Sequence, residues 1–145
     1  MEDVLNAAEI DGQKFLCITR PRRFGKSVIA HMVGAFWGKA SNSSAFYNLA
    51  IAENENCKKH FNQYNVIFID FSRAPRNCSS FHQYINRIQD GINQDLEDAY
   101  PEAGIDVSGT VWDNLLTVFE KAKETFVFVI DEWDARIRFM QNSHT

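Results

Sequence analysis

The chain has 145 residues, of which 45% are hydrophobic and 13% aromatic, and its formal net charge at pH 7 is −4. This length and composition exclude a disordered chain and allow one domain with a sizeable core. The net negative charge gives no reason to expect nucleic acid as the main partner. No apolar run reaches membrane-spanning length, and residues 1–10 carry acids where a signal peptide carries Lys or Arg. We therefore expect a cytoplasmic protein without membrane contact.

The first predicted elements are a short helix at residues 2–10, a strand at residues 14–19 and a helix that begins near Lys26. The strand is predicted from a short apolar run, and the later helix from apolar residues that recur every three or four positions. The segment between them, residues 20–27, reads Arg-Pro-Arg-Arg-Phe-Gly-Lys-Ser. Gly25, Lys26 and Ser27 match the end of a phosphate-binding loop, although Arg20 stands where that pattern has its first Gly.

The middle of the chain predicts alternating helices and strands. Residues 45–52 and 57–61 are expected to form helical turns, and residues 66–69 a strand covered on both faces. Ser80 followed by Gln83 forms a capping-box pattern, and an amphipathic helix follows and ends before Pro101. Another helix is expected at residues 112–123. This order favours an α/β fold in which a parallel sheet is flanked by helices.

A second chemical motif follows a continuous apolar strand at residues 126–130. Asp131 and Glu132 come directly after it. Because the carboxyl ends of parallel strands form the ligand-binding edge in such folds, we expect both acids at the phosphate site. Asp131 would hold Mg²⁺ together with Ser27, and Glu132 would orient or deprotonate the attacking water. Lys26 would contact the β- and γ-phosphates.

Three stretches of the chain resemble the AAA-ATPase-like family of P-loop NTPases. They are residues 18–27, residues 66–72 and residues 129–134. This family also lacks the first Gly of the loop, and its members often carry a nuclease-like domain at the C-terminus. The resemblance implies ATP as the nucleotide and an arrangement in which a sensor strand lies between the acidic strand and the phosphate-loop strand. We accordingly interpret residues 1–145 as the N-terminal part of a single P-loop domain, truncated before the sensor strand.

This interpretation leaves three functions open: a motor or switch ATPase, a nucleotide-binding module without turnover, and a small-molecule kinase. The adjacent Glu132 favours activation of water over transfer to an alcohol. Self-assembly into a homo-oligomer stays open, and nucleic acid would be reached only through a C-terminal domain beyond this chain. The expected cofactors are ATP and Mg²⁺. The residues expected to bind nucleotide are Arg20, Pro21, Arg22, Arg23, Phe24, Gly25, Lys26 and Ser27.

Other residues have more than one reading. The side chains of Arg22 and Arg23 are as consistent with a solvated rim as with a nucleotide or partner contact. Asp70, at the end of the second predicted strand, is as suited to capping the following turn as to joining the site. The three tryptophans are interpreted as core residues, and the four histidines have no ligand spacing and receive no role.

Overall fold

The computed structural model describes residues 15–19, 23–39, 46, 48–49, 53–72, 78 and 80–134. The predicted helix at residues 2–10 and the stretch 135–145 lie outside these residues. Within them, the elements in chain order are α1 (Lys26–Trp37), α2 (Glu55–Lys58), β1 (Asn65–Asp70), α3 (Phe81–Ala99), a 3₁₀ turn (Pro101–Ala103), α4 (Val111–Ala122) and β2 (Phe126–Asp131). None of the helices in the described part of the chain could cross a membrane.

The sheet confirms the α/β class and one detail of its topology. β1 and β2 are neighbours in a two-stranded parallel sheet, as expected for the strands predicted at residues 66–69 and 126–130. Their connection contains α3 and α4, because parallel neighbours need a long crossover. The described strands are thus compatible with a P-loop fold.

The strand predicted at residues 14–19 is absent from the described part of that segment. Residues 15–19 have no regular structure and all five are exposed, Phe15 to 96% of its surface. The prediction was wrong because an apolar run becomes a strand only when a neighbour pairs its backbone groups and another layer covers its side chains.

β2 is a continuous apolar run, yet only part of it is buried. Val129 and Asp131 are buried, whereas Phe128 and Ile130 keep 45% and 47% of their surface exposed. Side chains alternate between the two faces of a strand, so only one face of β2 is covered by described residues. Every residue of β1, in contrast, is partly buried.

Contacts along the chain divide it into two compact units. The first comprises Met1–Phe68 and Phe126–Asp131, and the second comprises Ile69–Thr125 and Glu132–Thr145. The core of the first unit is an aromatic cluster in which the Phe36 ring lies 5.4 Å from that of Phe46 and 4.9 Å from that of Phe61. Phe36 and Phe46 are buried, and Met32 and Trp37 pack against them.

The second unit is built around α3 and α4. The predicted cap of α3 is confirmed, because Ser80 Oγ accepts the N–H of Gln83 at 3.2 Å. Thr110, which was not predicted as a cap, begins α4 in the same way: its Oγ1 accepts the N–H of Asp113 at 3.1 Å. Two buried amides then join the helices, since Asn114 Nδ2 donates to Asn93 Oδ1 at 2.9 Å. This pair also binds the backbone of the loop between the helices, which sets the path of that loop.

Candidate functional site

The described part of the phosphate-loop segment turns through left-handed backbone. Arg23 has φ 66° and Gly25 has φ 77°. An ideal Cβ on Gly25 would meet nothing within 4 Å, so the space beside this glycine is open among the described residues. Turns of this kind direct successive backbone N–H groups to one side and are found where proteins bind anions. The local conformation is therefore compatible with the phosphate-binding loop predicted from Gly25, Lys26 and Ser27.

Helix α1 begins immediately after this turn. Its N-cap is Gly25, which supplies no side-chain cap, and no acidic residue lies in the first turn. The first intrahelical bond that closes over the cap runs from the N–H of Ile29 to the oxygen of Gly25 at 3.0 Å. The N–H groups of Ser27 and Val28 precede that bond and point out of the helix end. The positive end of the helix dipole adds to their attraction for an anion.

The packing of α1 on β1 determines which edge of the sheet its N-terminus reaches. An ideal Cβ on Gly34 would lie 3.3 Å from Phe68 and 3.8 Å from Val66, and the His31 ring stacks on Phe68 at 4.4 Å. Farther along, Gly38 forms a bridge with Tyr64. The helix thus runs antiparallel to the strand. The N-terminus of α1 therefore points in the direction in which the strand runs.

The end of β2 lies at the same edge. β2 is parallel to β1, and α1 also packs against it. Asp131 is the last residue of β2 and only 8% of its surface is exposed. Asp131 therefore ends β2 on the side of the sheet toward which the N-terminus of α1 points, and its approach to Lys26 and Ser27 stays a prediction.

Glu132 follows with an unusual backbone. Its φ is 54°, which places a residue with a Cβ in the left-handed region, and its side chain is partly buried. Such a conformation costs about 1–2 kcal/mol and is concentrated at functional sites. It re-aims the Glu132 side chain relative to a continued strand, a feature that its position in the sequence does not reveal.

The structure describes only some of the remaining predicted residues. Arg20, Pro21 and Arg22 lie outside the described residues. Arg23 is exposed, and Phe24 keeps 60% of its surface exposed. Asp70 supports the capping interpretation, because its Oδ1 accepts the N–H of Ser72 at 2.8 Å.

The tryptophans correct one expectation. Trp37 packs in the aromatic core, but Trp112 and Trp133 are 74% and 61% exposed, so the core assignment was wrong for these two among the described residues. They lie at helix and turn positions whose apolar character alone does not identify a buried face.

No group of three or more His, Cys, Asp or Glu in the described residues could hold a metal ion by itself. A magnesium site here would need oxygen ligands from Ser27, the nucleotide and water.

His31 and Gly34 are the site-forming residues that sequence reasoning missed. Both residues contact β1 through Phe68. They follow Ser27 by four and seven residues, which is the spacing of one helix face. That spacing places them on one face of the helix, but only the position of Phe68 shows what the face contacts.

Comparison with known proteins gives one match, to a protein family. Neither a curated protein nor a solved structure matches the chain. A family model described as predicted AAA-ATPase matches residues 6–144, which is nearly the whole sequence. The chain therefore belongs to the AAA-ATPase-like family.

Proposed function

We propose that this chain is a P-loop domain that binds ATP with Mg²⁺ at residues 20–27 and hydrolyses it as a motor or switch ATPase. One observation carries the proposal. Helix α1 begins with Lys26 and Ser27 after a left-handed turn, without a side-chain cap, and its N-terminus points toward the side of the sheet on which Asp131 ends β2. Membership of the AAA-ATPase-like family supports ATP as the nucleotide.

The residues present suit Mg-ATP. The open space beside Gly25 admits a phosphate close to the backbone, and the N–H groups of Ser27 and Val28 supply donors. Lys26 adds a positive charge for the β- and γ-phosphates. The hydroxyl of Ser27 and the carboxylate of Asp131 are oxygen ligands of the kind that Mg²⁺ takes, commonly with water between. When bound, the metal neutralises charge on the phosphates.

Glu132 would act in the hydrolysis step rather than in binding. A carboxylate beside the metal ligand can hold the attacking water in line with the γ-phosphate and accept its proton. The strained backbone of Glu132 favours this reading over that of a binding module, since binding alone gives no reason to retain the strain. A binding module without turnover is the alternative, and a small-molecule kinase is a weaker one.

Calorimetric titration with Mg-ATP tests the binding site. Lys26→Ala removes a charged hydrogen-bond donor to phosphate, which is worth about 1.5–3 kcal/mol, so we expect affinity to fall about tenfold or more. Lys39→Ala is a matched control, because Lys39 lies just beyond the other end of the same helix and its side chain is exposed. Equal losses in both variants, or none in Lys26→Ala, would contradict the assignment.

Phosphate-release kinetics separate hydrolysis from binding alone. Glu132→Gln should leave Mg-ATP affinity within a few-fold and reduce turnover by about 10²–10⁴, the range expected for a general base. Asp131→Asn should weaken binding and turnover together, because it removes charge from the metal site. Glu120→Gln, an exposed acid on α4, should change neither. If the parent releases phosphate and Glu132→Gln releases it at the same rate, a group other than Glu132 activates the water.

A further inference from the structure

One aromatic ring of β1 contacts α1 at two places. The His31 ring stacks on that of Phe68, with the ring centroids 4.4 Å apart and an angle of 14° between the planes. An ideal Cβ on Gly34 would lie 3.3 Å from the same ring, which is tighter than ordinary van der Waals contact. The backbone of α1 therefore lies so near to Phe68 that a side chain at position 34 would displace the ring or the helix by a few tenths of an ångström.

The stack fixes the half of α1 that leads to the phosphate-binding turn. His31 follows Ser27 by one helical turn, and helical side chains lean toward the N-terminus of their helix. His31 is exposed, so burial does not account for its contact with an aromatic ring. The other end of α1 is held separately by backbone hydrogen bonds, in which Trp37 O accepts from Tyr64 and Lys39 N–H donates to Tyr64 O at 2.9 Å.

We propose that His31 and Gly34 are positioning residues for the nucleotide site and act through Phe68. The inference rests on the proposed function, in which Ser27 and Asp131 share the Mg²⁺ ion. All five residues belong to the first unit, and α1 packs on β2 as well as on β1. A shift of the N-terminal half of α1 would thus change the distance from Ser27 to Asp131. Catalytic groups need their geometry held to within about 0.5 Å, so even a small shift lowers turnover.

Steady-state phosphate release separates positioning from direct contact with the nucleotide. His31→Ala should lower kcat about tenfold and change KM for Mg-ATP less than about threefold, because the loop keeps its phosphate donors while the metal geometry loosens. His31→Phe keeps an aromatic ring for the stack and should restore most of the lost kcat. His82→Ala is the matched control, the same substitution at an exposed position of α3, and should change neither constant.

A second pair of variants tests the route through Phe68. Gly34→Ala should lower kcat as His31→Ala does, whereas Gly91→Ala, at a helical glycine with open space around it, should leave kcat unchanged. In a Phe68→Leu background, His31→Ala and Gly34→Ala should each change kcat less than about twofold further, since substitutions that act through one shared contact are not additive.

Circular dichroism at the assay temperature measures the folded fraction of each variant. Four results would overturn the inference: an unchanged kcat in His31→Ala, a loss of kcat that equals the loss of folded protein, a loss in His31→Phe as large as in His31→Ala, or full additivity with Phe68→Leu. The third result would mean that the imidazole acts through its protons rather than through its stack. A parent chain that releases no phosphate contradicts the proposed hydrolysis, and this inference with it, whereas an active parent with unchanged variants contradicts this inference alone.

Discussion

Two glycines with equally open surroundings differ in backbone conformation, and the difference determines what alanine does at each. No described atom would lie within 4 Å of a Cβ on Gly25 or Gly91. Gly25, however, has φ 77° at the start of α1, whereas Gly91 lies in the interior of α3. Because L-residues other than glycine are strained in the left-handed region, steric space does not make Gly25 replaceable.

We predict opposite effects of the same substitution. Gly25→Ala should destabilise the fold by about 1 kcal/mol and weaken Mg-ATP binding, because the loop turn becomes strained. Gly91→Ala should stabilise it by about 0.5–1 kcal/mol, because alanine loses less entropy in a helix. Urea unfolding of the two variants measures both changes. A loss of stability in Gly91→Ala, or none in Gly25→Ala, would show that another contact determines the outcome.

Tyr84 makes the stability of the fold depend on pH. Its side chain is buried, and its hydroxyl donates to the backbone oxygen of Asp70 at 3.1 Å. Burial raises its pKa above the ordinary 10.0, and the negative charges of Asp70 and Cys78 raise it further. A raised folded-state pKa contributes stability that is complete below pH 10 and is lost as pH rises through the folded value, since the unfolded chain ionises first.

The stability of the unchanged chain should therefore fall as pH increases above about 10, through the ionisation of Tyr84. Tyr84→Phe should start lower at neutral pH by about 1 kcal/mol, the worth of one hydrogen bond, and should lack this part of the alkaline decline. Urea unfolding between about pH 8 and 11 measures the two curves. Parallel curves would mean that Tyr84 contributes nothing to the pH dependence.

At the scale of elements, the helices of the second unit were predictable because their determinants are local. Ser80 and Thr110 cap α3 and α4 through the third residue of each helix, as the sequence pattern at Ser80 indicates. The strand predicted at residues 14–19 depended instead on a distant partner, and apolar residues alone do not specify one. The buried pair of Asn93 and Asn114 was not predicted either, because the spacing of two asparagines in the sequence does not indicate that their amides meet.

Asn114 should be among the costliest single residues of the second unit. Its amide donates to Asn93 Oδ1 and to the Asp106 oxygen at 2.7 Å, and its Oδ1 accepts the Asp106 N–H at 3.1 Å. Asn114→Ala leaves the buried Asn93 Oδ1 and the partly buried Asp106 N–H without these partners, whereas the Asp106 oxygen still accepts the N–H of Gly109, and we expect a loss of about 3 kcal/mol in urea unfolding. Gln94→Ala, at an exposed position of α3, is the matched control and should cost less than about 0.5 kcal/mol. If Asn114→Ala costs as little as Gln94→Ala, water replaces the hydrogen bonds that Asn114 makes.

At the scale of the whole molecule, nucleotide binding should appear as thermal stability. A ligand that binds only the folded chain stabilises it by about 2.7 kcal/mol at one hundred times its Kd, which corresponds to a rise in Tm of about 5–10 °C. We expect this rise with Mg-ATP in the unchanged chain and a smaller one in Lys26→Ala at the same concentration. AMP lacks the β- and γ-phosphates and is the matched control ligand. An equal rise with AMP would indicate a site that does not recognise the phosphate chain.

The sequence by itself determined the local chemistry: the Gly25-Lys26-Ser27 end of the phosphate loop, the two acids at the end of β2, and the helices of the second unit with the cap at Ser80. These depend on spacing and on residues close in the chain, which a linear pattern records. Only the tertiary structure decided that α1 runs along β1 through Gly34 and Phe68, that Glu132 adopts a left-handed backbone, and that Phe128 and Ile130 face away from the described core. Burial and pairing depend on which distant segments meet, and a short apolar run is compatible with several partners.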